Sequence, residues 1–69
     1  MLNDTIMDDV AESVKVEKAH GMRIIKWLSI HHPTGAAIYS SGVVCFAFRS
    51  GKTLKETQAI LDEAIRITQ

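Results

Sequence analysis

The sequence predicts a small α+β domain in the order α-α-β-β-α, a two-stranded antiparallel hairpin packed by helices, with the sheet extended across a dimer. Three observations lead there. An amphipathic helix with a strong capping signal closes the chain. Two β-prone runs joined by Ser40-Ser41-Gly42 precede it, and apolar residues recur at helical spacing on the N-terminal side of Pro33. The chain has 69 residues, which is room for one domain, residues 1–69. A chain of this size buries only about 60% of the surface its unfolded form exposes, so an enzyme with an enclosed, dry pocket is not expected.

Asn3 or Asp4 can cap a first helix, with Asp8, Asp9 and Glu12 in its early turns, where carboxylates suit the positive end of the dipole. Ile6, Val10 and Val14 recur at spacing four, with Met7 and Ala11 beside them, which predicts a helix over about residues 4–19. The run Val14-Lys15-Val16-Glu17 alternates, and reads equally as a short strand. Gly21 then marks a kink or boundary, because Gly in a helix interior costs about 1 kcal/mol relative to Ala. Met22, Ile25 and Leu28, flanked by Ile24 and Trp27, form a short apolar helix that ends near His31-His32-Pro33, since Pro disfavours helical geometry in the residue before it. The β-branched content of this stretch leaves strand as the alternative.

Pro33-Thr34-Gly35 reads as a turn. Ala36–Tyr39 and Val43–Arg49, linked by Ser and Gly, read as a β-hairpin. In the second strand Val44, Phe46 and Phe48 point one way, and Val43, Cys45 and Ala47 the other. Both faces are apolar, so both should be covered. The C-terminal helix can take the small-residue face, which predicts an inert, buried Cys45. Thr53 with Glu56 forms a capping box. Leu54, Thr57, Leu61, Ala64, Ile65 and Thr68 then make one stripe, opposite Lys55, Glu56, Asp62, Glu63 and Arg66.

Eight basic and eight acidic residues give zero net charge, but the charges are segregated. Residues 1–20 carry five acids against two bases, a net of −3. Residues 21–52 carry Arg23, Lys26, Arg49 and Lys52 and no acid, while residues 53–69 come to −1. A buried core with charges at its edges explains such a stretch, and so does an anionic partner.

No catalytic, cofactor or metal site is read from the residues. His31 and His32 diverge by about 100° on a helix, and His20 would lie roughly 16 Å from His31; a helix C-terminus accounts for the pair. Gly51-Lys52-Thr53 ends like a phosphate-binding loop, but Ala47 stands where the opening Gly belongs. The residues Phe48-Arg49-Ser50-Gly51-Lys52-Thr53-Leu54-Lys55-Glu56, running into Ala59 and Ala64, resemble the strand–turn–helix that closes HicB-type antitoxins and double-stranded-RNA-binding domains. The first half of the chain matches neither family.

The reading that remains is a small non-enzymatic regulatory protein, an adaptor or phage-type inhibitor. It binds another protein and itself forms a homo-oligomer, most simply a dimer, because an isolated hairpin is marginal in water. A twofold mate would pair the hairpin edge into a four-stranded sheet. The candidate partner surface is Arg23, Lys26, His31, His32, Arg49, Lys52 and Lys55. The alternative is nucleic-acid binding by the same basic middle, with Trp27 or Tyr39 stacking on bases. The acidic start MLNDTIMDDV is unlike a secretory signal, no apolar run spans a membrane, and the single Cys suits a reducing cytoplasm.

Overall fold

The computed structural model describes residues 9–49 and 51–69. Its elements are β1 (Asp9–Lys15), α1 (Lys18–His31), β2 (Gly35–Ser40), β3 (Val43–Arg49) and α2 (Leu54–Thr68). The strands form one three-stranded sheet in the order β1-β3-β2, each neighbouring pair antiparallel. β1 and β2 are thus parallel to one another, with β3 between them and α1 as the connection. The order is β-α-β-β-α, not α-α-β-β-α, and the sheet has a third strand that the hairpin reading lacked.

The new strand is the one predicted as a helix over 4–19; residues 4–8 of that prediction lie outside the described residues. The error has a simple cause. A spacing of four fits one helical turn and also two strand periods, so Val10 and Val14 satisfy both patterns. Burial alternates along β1, and Val10, Glu12 and Val14 stand opposite Phe48, Phe46 and Val44. The apolar β3 supplies the pairing partner that a local reading does not see.

The turn and the helix ends hold as read, whereas Met22 and Leu54, expected on the apolar stripes, are 43% and 56% exposed. Ser41 and Gly42 both have positive φ, 55° and 80°, the two-residue turn whose twist matches paired strands. Thr53 Oγ1 accepts from Glu56 N at 3.1 Å and Glu56 Oε1 accepts from Thr53 N at 2.8 Å, completing the capping box. α1 ends at His31, and the N–H of His32 closes it onto Leu28 O at 2.7 Å.

Gly21 does not break α1; it lies inside it. A Cβ there would stand 2.5 Å from Cδ1 of Tyr39, and the Tyr39 hydroxyl donates to Val16 O at 3.2 Å. The Gly lets the helix close over an anchored ring. α1 packs mainly on β2 and α2 on β1, and bonds from His20 and Arg23 to Thr68 show the helices running antiparallel.

Both helices cover the same face of the sheet. Val44, Phe46 and Phe48 are buried with Ile24 and Leu28 of α1 and Leu61 and Ala64 of α2. Phe46 and Phe48 meet edge to face, with centroids 4.8 Å apart. Buried Thr57 donates its hydroxyl to Thr53 O at 3.0 Å, so it brings no unpaired group into the core. The expected cover of Val43, Cys45 and Ala47 by α2 is therefore corrected. Two Phe rings need more contact area than one helix offers, and no described element covers the small-residue face.

Gly21→Ala should destabilise the fold by about 1–3 kcal/mol through overpacking against Tyr39, despite the helix propensity that Ala gains. Urea unfolding of Gly21→Ala in the native and Tyr39→Leu backgrounds checks this, with a smaller loss expected beside Leu.

The hydrogen bond from the Thr53 backbone, then that from its side chain, hold the Glu56 carboxyl below its ordinary pKa. A lowered folded pKa stabilises above the unfolded value of about 4.3 and ceases to do so as pH falls through the folded value. The loss caused by Glu56→Ala should therefore be full near neutrality and fade in acid, as melts across pH 2–7 would read.

Candidate functional site

The seven basic residues do not form one surface. Arg23 and Lys26 lie one turn apart on α1, where with Trp27, Ile30 and Thr68 they line an open groove of about 340 Å³. The floor is apolar, the rim carries two cations, and none of the lining residues is acidic. Arg23 also has a structural task, since its Nε donates to Thr68 O at 3.0 Å and so satisfies a terminal carbonyl of α2. Lys26 is exposed.

His31 and His32 sit between this groove and the far end of the sheet. The His31 ring stacks on Trp27 at 4.5 Å and 29°, and His32 lies 5.7 Å from the same indole. His32 also meets the edge of Phe48 at 6.3 Å, and Lys52 Nζ lies 5.3 Å from the centroid of that ring. Lys52 thus packs on an aromatic face. Lys55 is exposed in the first turn of α2. Arg49 belongs elsewhere: it stands on the open side of the sheet, in register with Asp9.

Trp27 is half-buried, packs against the core and lines the groove. Tyr39, the other suggested stacking residue, is held under Gly21 with its hydroxyl bonded, and it offers no free ring. The N-terminus of α2 is occupied as well. The Glu56 carboxylate takes the Thr53 N–H that an anion at Gly51-Lys52-Thr53 would need. Among the described residues no three His, Cys, Asp or Glu side chains gather to hold a metal ion.

Ile30 and Thr68 escaped the sequence reading as groove residues. Ile30 is 62% exposed; its spacing of four from Lys26, which puts both on one helix face, was the signal available. With this geometry fixed, the chain can be set beside known proteins: no protein-family model, no curated protein and no solved structure matches it.

Cys45 is exposed, against the inert thiol expected from its apolar neighbours. It alternates outward from β3 while Val44 and Phe46 turn inward. At micromolar protein concentration, Cys45 should therefore react fully with an aromatic disulfide reagent in native buffer, close to the rate seen in denaturant. Protection until unfolding would contradict the open face.

Proposed function

We propose that this is a small non-enzymatic interaction protein that binds an acidic segment of another protein and acts as a homodimer. The groove of Arg23, Lys26, Trp27 and Ile30 carries the reading. A segment with carboxylates flanking one aliphatic or aromatic residue fits this chemistry. The apolar residue would lie against Trp27 and Ile30, and its carboxylates would reach Lys26 and the outer N–H groups of Arg23. Charge at the rim steers encounter and selects the partner, while desolvation of the indole supplies affinity.

Nucleic-acid binding is the second reading, favoured by an indole beside cations. The separation of Arg23 and Lys26 from Arg49, Lys52 and Lys55 counts against it, because a backbone track needs its cations in a row. The functional setting we infer is the cytoplasm, where an exposed Cys45 persists as a thiol. No helix among the described residues is long and apolar enough to cross a membrane.

The fluorescence of Trp27, the only Trp in the chain, reports on the groove directly. Glu-rich peptides carrying one Leu or Phe should shift its emission, and Lys26→Glu should weaken their binding by about tenfold, roughly 1.4 kcal/mol. Tighter binding of random oligonucleotides, with a steep loss between about 50 and 200 mM salt, would overturn the assignment in favour of the second reading.

A further inference from the structure

The face of the sheet that no described element covers has relief. Ala11, Ala47 and Ala36 are register neighbours, so one row of alanines crosses all three strands as a shallow trench. Ser13, Cys45 and Ile38 form the next row on the same side. Ile38 is 61% exposed and stands above it. The row beyond holds Lys15, Val43 and Ser40, while Asp9 and Arg49 lie past the alanines at the opposite end. The face is thus a ridge beside a trench, with Lys15 at one end and Asp9 beside Arg49 at the other.

We propose that this face is closed by a second copy of the chain, stacked sheet to sheet with its strands antiparallel about a twofold axis level with Glu12, Phe46 and Ala37. The inference rests on the reading of the chain as a homodimer and differs from the hairpin-edge pairing expected from the sequence: β1 occupies the β3 edge of the hairpin and leaves β2 as its remaining edge strand. Self-complementarity selects the occupant. The axis lays the Ser13–Cys45–Ile38 ridge of each copy over the alanine trench of the other, with Ile38 above Ala36. It also brings Lys15 of each copy to Asp9 of the other and sets Arg49 over Val43. A twofold axis along the strands would instead stack Arg49 on Arg49, a like-charge contact. Small side chains on both faces let the sheets approach closely, near the aligned angle of sandwich packing.

The size of the face sets the strength. Seven residues and three strands measure about 24 by 14 Å, well under the roughly 800 Å² that each partner gives to a standard interface. The dimer is accordingly weak and transient, and forms and dissolves with protein concentration.

Sedimentation velocity from about 5 µM to 1 mM tests this. The native chain should pass from one-chain to two-chain mass, and Cys45 labelling should slow in parallel. Ile38→Lys changes an exposed residue and should leave the far-ultraviolet circular dichroism intact while holding the protein at one-chain mass. Lys15→Glu should weaken association at least fivefold, and adding Asp9→Lys should restore it. A dimer indifferent to Ile38→Lys and to the charge exchange would overturn the stacked face and leave the homodimer reading standing on another surface. One-chain mass throughout for the native protein would overturn both.

Discussion

The contact on which the rest depends is the edge-to-face packing of Phe46 against Phe48 on the central strand. Both rings are almost wholly buried, and every other element is placed by the need to cover them. β1 and β2 pair on either side of β3, with Val10 and Gly35 flanking Phe48 and Glu12 and Ala37 flanking Phe46. α1 brings Ile24 and Leu28 down from one side, and α2 brings Leu61 and Ala64 from the other. In a chain this small there is apolar surface for one such centre only. Committing both helices to it leaves the reverse of the sheet without cover among the described residues.

The parts legible in the sequence were those whose signals are local. Ser41-Gly42 dictates a hairpin because two positive φ values suit few other residues. Thr53 and Glu56 dictate a helix start because each side chain satisfies the other's backbone. What was not legible required a partner distant in the chain. Val10 and Val14 are compatible with helix or strand until β3 is known to lie beside them. Gly21 reads as a breaker until Tyr39 is known to lie beneath it. The two faces of β3 look equally in need of cover until ring size is weighed against side chains that end at Cβ or one atom beyond it.

The candidate site shows the same division. That the middle of the chain is basic was plain from counting, but grouping is a property of the fold. The rise of α1 puts Arg23 and Lys26 beside the end of α2, while Arg49 leaves β3 toward the opposite side of the sheet. Trp27 links the two regions through the His31 and His32 rings rather than standing alone as a platform. An acid-free stretch therefore became a groove with a two-cation rim, a packed cation on Phe48, and a single guanidinium on the open face.

The position of β1 has a consequence for the order in which the molecule is built. The hairpin and both helices close over short stretches of chain, so they can form early, whereas β1 must find β3 across the whole of α1 and β2. On the ribosome the strand is made first and waits. At ordinary synthesis rates Arg49 follows Lys15 by on the order of a few seconds, during which Val10 and Val14 have no mate. When β3 does emerge, its vacant edge presents the same unpaired groups to its own β1 and to that of a neighbouring nascent chain. The strand that completes the sheet is thus also the point at which two chains made close together would exchange.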